Sequence, residues 1–364
     1  MDLTDRFQTG WGADADWRTA LGQCLDMIDT DLRHNGPGFV YLSDHFSGDA
    51  QGILTVLRGR TGIGDWVGTA GIGILANDRQ FFDTPAIAVM LTSVAEGASH
   101  LLRPDGVAPP RFTPWFGVAH ADPGQPELRE SLRVLKQQPG GYWVGGLAAS
   151  RGPNPVMAKT LTTGGPAGIL FSDQVPVVTA LTQGCTPIGP AREITRAERN
   201  IAIELDGRPA FEVFRQDIGE ILSRNLDRIP GFIFAGLAPA GQDSGDYLVR
   251  EIAGVDPQHG LLAVAEDLSV GQRLMFCRRD GAAAVADMER MLDTLEQRAG
   301  GTTPRGGLYF SCLGRGPNLF DDSRTEAAMI RERFPDLPLI GFFGNGEIAN
   351  SRLYAYTGVL SLFL

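Results

Sequence analysis

No cluster of cysteines marks this chain. Its four, Cys24, Cys185, Cys277 and Cys312, are far apart and form no C-x-x-C pair, which argues against structural zinc and gives no disulfide framework; reduced thiols are the expectation. Basic blocks are missing too. The 32 Lys and Arg residues face 43 Asp and Glu, a formal charge of −11, so nucleic acid and anionic membrane are poor partners. Residues 1–20 are acidic and polar and lack the charged-then-apolar layout of a signal peptide, and no apolar run approaches the roughly twenty residues that span a bilayer. A cytoplasmic protein without membrane insertion is expected.

Enzyme signatures are also sparse. There is no G-x-x-x-x-G-K-[ST] phosphate loop and no H-E-x-x-H. After Gly62-Ile63-Gly64 the next glycine is Gly68, one residue late for a dinucleotide fingerprint, and the segment precedes a strand instead of opening a helix. His34, His45, His100, His120 and His259 are isolated in sequence and read as structural or exposed. A Cys-His pair stays open as an alternative, because catalytic partners converge only in the fold. No cofactor and no metal is expected.

What is present concentrates between Gly306 and Glu347. Gly307 to Leu313 is a short apolar run bounded by glycine, the pattern of a core strand. Gly314-Arg315-Gly316-Pro317-Asn318 is loop chemistry, since glycine permits positive φ and proline removes a donor. Asp321, Asp322 or Ser323 caps a helix with Ala327, Ile330 and Phe334 on its buried face. Leu339 to Phe343 is a second buried strand, and Gly344-Asn345-Gly346 turns the backbone before Glu347. Loops held at strand ends are where binding groups usually lie.

Elsewhere, Trp17, Leu21, Cys24, Leu25, Ile28 and Leu32 mark a leading amphipathic helix capped by Asp14 or Asp16. Residues 98–115 and 150–166 read as long loops. Val67-Gly68-Thr69-Ala70-Gly71-Ile72-Gly73 and Ile340-Gly341-Phe342-Phe343-Gly344-Asn345-Gly346 share an aliphatic residue and three glycines at one spacing, each after a strand, loop and helix. This reads as a duplicated unit. The fold expected is α+β: two related halves of mixed β-sheets packed by helices, with a ligand cleft at glycine-rich strand-end loops.

Four segments carry a family resemblance: Gly184 to Pro190, Glu204 to Ala210, Phe310 to Gly316, and Ile340 to Ile348. In this order they resemble the signature segments of FIST proteins, named for F-box and intracellular signal transduction. The resemblance implies a leading helix over 1–36, a FIST N domain over 37–220 and a FIST C domain over 221–364, in a sensory protein that binds small ligands such as amino acids. No F-box, kinase, methyl-accepting or cyclase segment is evident, so either a protein partner in trans supplies the signalling output or the role is different. The oligomeric state is open.

Arg315 is a surface cation or, because a guanidinium donates two parallel hydrogen bonds, a clamp for a ligand carboxylate. Glu347 is solvated or holds a ligand ammonium group; together the two suit a zwitterion. Cys312 is a small core residue or a pocket-floor thiol whose pKa Arg315 lowers. Cys185, in an irregular turn beside Thr186, is structural or lines the pocket, and Asn318, Gly341 and Asn345 complete the candidate ligand-binding set. Cys312 and Cys185 are also the nucleophile candidates of an alternative, a cysteine-dependent hydrolase or transferase. A third reading is an assembly module without ligand.

Overall fold

The computed structural model describes residues 7–30, 34–106, 109–126, 128–137, 141–223, 229, 231–238, 247–321, 324–350 and 352–364. Two compact units are present: 1–183 with 286–364, and 184–285. Both are built of β-sheet with packed helices, an α+β fold.

The first unit is one supersecondary pattern used three times. The first copy comprises β1 (Gln8–Ala13), α1 (Trp17–Asp26), β2 (Gly38–Ser43), α2 (Ala50–Thr61), β3 (Trp66–Gly71), β4 (Gly73–Ala76), β5 (Arg79–Phe82) and β6 (Ala86–Leu91). The second comprises β7 (Ser99–Leu102), β8 (Phe116–Ala121), α3 (Leu128–Gln137), β9 (Tyr142–Leu147), β10 (Val156–Ala158), β11 (Thr160–Thr162) and β12 (Ala167–Phe171). The third begins with β13 (Val177–Gln183).

The second unit then intervenes with β14 (Cys185–Pro187), β15 (Arg192–Glu198), β16 (Ile201–Leu205), β17 (Arg208–Pro209), α4 (Ala210–Ser223), β18 (Ile233–Ala238), β19 (Leu248–Asp256), β20 (Leu261–Val264) and β21 (Arg273–Arg279). These strands are antiparallel at every pairing. Phe211, Val213 and Phe214 of α4 pack on Leu237, Leu262 and Phe276 to form its own core. The third copy resumes with α5 (Gly281–Ala299), β22 (Gly306–Cys312), α6 (Glu326–Arg333), β23 (Leu339–Gly344), β24 (Glu347–Ala349), β25 (Arg352–Tyr354) and β26 (Thr357–Phe363).

Each copy supplies a parallel pair joined through a helix, β2 with β3, β8 with β9, β22 with β23, because a parallel return needs a crossover long enough for one. An antiparallel strand flanks each pair: β6, β12 and β26. The following hairpin does not stay at home. β4–β5 adds to β23, β10–β11 to β3, and β24–β25 to β9, giving three six-stranded sheets laced together by exchanged hairpins.

The glycine segments at 67–73 and 340–346 therefore occupy matching places in two copies, and a third lies at β9. Their glycines are sterically obligatory. A Cβ on Gly68, Gly145 or Gly341 would stand 1.7, 1.8 or 1.8 Å from the carbonyl oxygen of Val40, Ala119 or Tyr309 on the neighbouring parallel strand. The residues after those carbonyls, Tyr41, His120 and Phe310, converge with ring centroids 5.5, 6.0 and 5.5 Å apart, an aromatic triangle closed by Phe342. All four side chains are essentially fully buried, and aromatic pairs in such geometry contribute about 0.5–1.5 kcal/mol each beyond burial.

Local expectations fare unevenly. Asp16 does cap α1, accepting from Arg18 N–H, and Leu21, Cys24 and Leu25 are its buried face. The helix ends at Asp26, Ile28 is buried beyond it, and Leu32 lies outside the described residues. The preceding Gln8–Ala13 is a strand, hydrogen-bonded to β6. The supposed loops 98–115 and 150–166 contain β7, β10 and β11, each of three or four residues, too short to show a period. The cap of α6 is Thr325, whose hydroxyl accepts from Ala328 N–H, not Asp321; Asp322 and Ser323 lie outside the described residues. None of the described helices is long and apolar enough to cross a membrane.

Candidate functional site

β22 is buried along its whole length, as a central strand with both faces covered must be. It ends at Cys312, and the chain then folds into a tight loop: Arg315 N–H donates to Cys312 O at 2.8 Å, and Asn318 Nδ2 to Leu313 O at 3.0 Å. Gly316 has φ +50°, and a Cβ there would meet the Phe82 ring at 2.5 Å. Only glycine lets its N–H turn inward.

That N–H points at Glu326, the first residue of α6 and 0% exposed. Glu326 Oε2 accepts from Gly316 N at 3.1 Å, while Oε1 accepts from Tyr309 OH at 2.6 Å and Arg315 Nε at 2.8 Å; Ser311 Oγ reaches both oxygens at 3.1 and 3.3 Å. The carboxylate is saturated. Its place at a helix N-terminus is also favourable for negative charge. Glu326 is the site residue that sequence reasoning missed; its only signal was an acidic residue directly after a Thr cap, hidden by placing the helix start too early.

Arg315 is not a surface cation. It is 0% exposed, its charge lying 5.1 Å from the Phe320 ring centroid. Burial works against that charge, but Glu326 outweighs it and holds the guanidinium firmly protonated. Among the described residues only Nε is engaged: Nη1 and Nη2 are buried without a hydrogen-bond partner there. Buried polar groups are overwhelmingly satisfied in folded proteins, which sets these two adjacent donors apart from the saturated carboxylate beside them.

The complementary feature is Glu347, at the start of β24 and 1% exposed. Its Oε2 accepts from Thr357 Oγ1 at 2.6 Å and Thr357 N at 3.2 Å, whereas Oε1 has no partner. Burial pushes this carboxyl up to about 8, against the pull of the Thr357 donors and Arg315. Arg315 and Glu347 both belong to the third copy, and the guanidinium charge acts on the Glu347 carboxyl without being hydrogen-bonded to it. Cys312 joins them, but with the opposite tendency from the one expected. Burial first, and then the Glu347 charge, push its thiol well above its ordinary value, and Arg315 offsets little of that.

Tyr356 packs beside Gly314 at the loop after β22. It has φ +61°, unusual for an aromatic residue, and its ring would lie 3.0 Å from a Cβ on Gly314. Two open grooves of this unit lie elsewhere. One, of about 480 Å³, is lined by Trp115, Tyr142, Val178 and Arg298 among others, and one of about 270 Å³ by Glu296, Thr303, Arg333 and Leu337 among others. Neither includes Arg315 or Glu347, and neither gathers comparable unsatisfied polar groups.

Family models match nearly the whole chain: the FIST N domain over residues 37–208 and the FIST C domain over 210–350. The chain belongs to the FIST family. The division between the family's two regions falls inside the 184–285 unit, so family regions and compact units partition the chain differently. Among proteins similar to this chain, the uncharacterised protein Rv0628c of Mycobacterium tuberculosis (strain H37Rv) is 28% identical over 388 aligned residues, 99% of this chain and 100% of that protein. The uncharacterised protein Mb0898c of Mycobacterium bovis is 33% identical over 201 residues, 52% of this chain and 50% of that protein. F-box only protein 22 of Homo sapiens is 46% identical over 48 residues, 13% of this chain and 12% of that protein.

The remaining candidates in this FIST chain have plainer surroundings. Gly341 leaves no space for a side chain beside β22. Asn345 is exposed, and its side chain donates to Ala148 O at 3.3 Å, fastening the loop after β23 to the end of β9. Asn318 is exposed and tied to its own loop. Cys185 and Thr186 belong to the other compact unit. There Cys185 lies buried on β14, its carbonyl accepting from Tyr247 OH at 2.5 Å, and Thr186 Oγ1 is buried without a partner.

Proposed function

We propose that this FIST protein is a cytoplasmic sensor that binds a small carboxylate-bearing ligand, amino-acid-like in its charges, at Arg315 and Glu347, and presents the bound state to a signalling partner in trans. FIST domains are sensory domains of signal transduction. The observation that carries the ligand reading is the pair of orphaned valences: the free Nη1 and Nη2 of Arg315 form the fork that grips a carboxylate, and the free Oε1 of Glu347 accepts from an ammonium group. Glu326 holds the fork in position. A ligand satisfying those atoms favours whichever arrangement of the loop and the 347–357 hairpin admits it, which is what a sensor requires. The thiol-based alternative loses support, because a buried Cys312 pushed upward is a poor nucleophile at neutral pH.

A thermal-shift screen against amino acids and small carboxylates tests this. A ligand at a hundredfold its Kd stabilises by about 2.7 kcal/mol, and the expected hit vanishes in Arg315→Lys, which keeps the charge but not the fork, and weakens in Glu347→Gln. No stabilising compound, or a hit indifferent to both substitutions, overturns the assignment.

A further inference from the structure

The exchange of charge at Glu347 follows from the same atoms, and rests on the ligand reading just given. Oε2 is committed as an acceptor to both the N–H and the hydroxyl of Thr357. A proton on this carboxyl therefore sits on Oε1, the oxygen without a partner. The groups facing Glu347 are mixed. Arg315 favours its ionised form and Glu326 opposes it, while the Cys312 thiol, raised by burial and by the Glu347 charge, stays neutral. Tyr354 stands opposite on β25, and on β9 the pairing partner is Gly146, beneath which His120 is held neutral by burial. With Arg315 already paired to Glu326, no further cation neutralises Glu347 among these neighbours.

We propose that Glu347 carries a proton on Oε1 in the ligand-free protein and releases it when the ammonium group of a zwitterionic ligand docks there, making ligand sensing at this site pH-dependent. An Oε1–H and an ammonium N–H are both donors and cannot share one contact, so the proton leaves to solvent as the ammonium arrives. No covalent bond to the ligand forms or breaks. The ligand carboxylate meanwhile takes Nη1 and Nη2 of Arg315. A carboxylate without an amine makes only the second contact and leaves the proton in place.

With the carboxyl at about 8, roughly nine-tenths of the molecules hold this proton at pH 7. Zwitterion binding should then release about 0.9 proton at pH 7, and the affinity should rise about tenfold between pH 6 and pH 7 and level off above 8.

The test uses the full chain with glycine, acetate and methylamine as probes, followed by a panel of amino acids. Calorimetry in phosphate and in Tris counts protons released, and difference infrared spectroscopy follows the carboxylic acid band against Glu347→Gln, an isosteric change whose fold is checked by its melting temperature. The expected result is a band assigned to Glu347 that disappears on binding glycine or another amino acid but survives acetate, with proton release absent in Glu347→Gln. Thr357→Val, which removes one donor to the ionised form, should move the release to higher pH. Amino-acid binding without proton release, or wild type and Glu347→Gln sharing the same acid band, overturns this inference while leaving the ligand reading intact. Failure of every amino acid to bind sinks both.

Discussion

The loops that follow β2 and β22 hold the same position in two copies of one unit, and they handle charge in opposite ways. After β2, Asp44 is matched by Arg151, which comes from the loop between β9 and β10. Nε and Nη2 bond Asp44 at 2.5 and 3.0 Å, and Nη1 lies 3.1 Å from Asp83. All three guanidinium nitrogens are engaged, and the Arg151 side chain is 58% exposed. After β22, Arg315 and Glu326 are both 0% exposed, and two of the three nitrogens have no partner. The pair with the exposed arginine is complete, its Asp44 carboxylate only 3% exposed, whereas the fully sealed one is unfinished. Where water can satisfy any leftover donor, an incomplete pair says nothing about ligands. Where it cannot, the missing partner is what the ligand proposal rests on.

The largest effect that would sharpen this contrast comes from Glu326→Ala. The substitution leaves Arg315 buried without its counter-ion and strips a partner from Tyr309 OH, Ser311 Oγ and Gly316 N–H. Removing one member of a buried pair costs about 3–5 kcal/mol, read as a drop in the urea midpoint at unchanged slope. A loss below about 1 kcal/mol would mean that the guanidinium relocates to solvent, and the sealed site would lose its meaning.

How much of this was legible in sequence depends on distance along the chain. β22, β23 and the glycine loop between them could be read because each is a continuous apolar run punctuated by residues with special backbone needs. Gly68 and Gly341 revealed the repeat because each faces a carbonyl with no room for a methyl group. The third copy stayed hidden. Gly145 and Gly146 have different flanking residues, and the eight-residue segment 148–155 separates β9 from its hairpin, which breaks the spacing. The exchanged hairpins were beyond reach, since β4 finds β23 across most of the chain and no local pattern encodes that. Arg315 looked like a surface cation for a related reason: its burial depends on Glu326, eleven residues on, whose inward orientation follows from the start of α6.

Two buried titrating groups give the next effect, because they carry opposite signs. His120, at the aromatic triangle and hydrogen-bonded to Tyr41 OH at 3.2 Å, is pushed by burial from 6.5 down to about 3. The unfolded chain takes up a proton that the folded one refuses, so stability falls as pH drops from 6.5 towards 3, by up to about 1.4 kcal/mol per pH unit. Glu347 is raised from 4.5 to about 8. The folded chain holds a proton that the unfolded one has lost, so its contribution is complete below 4.5 and is lost as pH rises towards 8. Between 4.5 and 6.5 the two oppose each other. In urea titrations across this range, Glu347→Gln should flatten the decline on the alkaline side, and His120→Phe, which places at β8 the residue found at the matching position of β22, should flatten the acid limb. An alkaline decline that persists unchanged in Glu347→Gln would place that carboxyl in the ordinary range.

The smallest effect belongs to the counterpart whose arginine is exposed. Asp44→Asn removes the charge facing Arg151 but leaves a side chain able to accept a hydrogen bond, and Arg151, being exposed, recovers its hydration. The midpoint should therefore shift far less than in Glu326→Ala. Salt separates the two sites further. At about 1 M ionic strength the Debye length falls to about 3 Å, so the contribution of the Asp44–Arg151 pair should shrink while that of Arg315–Glu326, shielded from mobile ions, stays. Parallel denaturation series of both variants at low and high salt measure this directly. Equal salt sensitivity would mean that solvent reaches the Arg315 pocket as freely as it reaches Arg151, and the free Nη groups would then be hydrated donors with no need of a ligand.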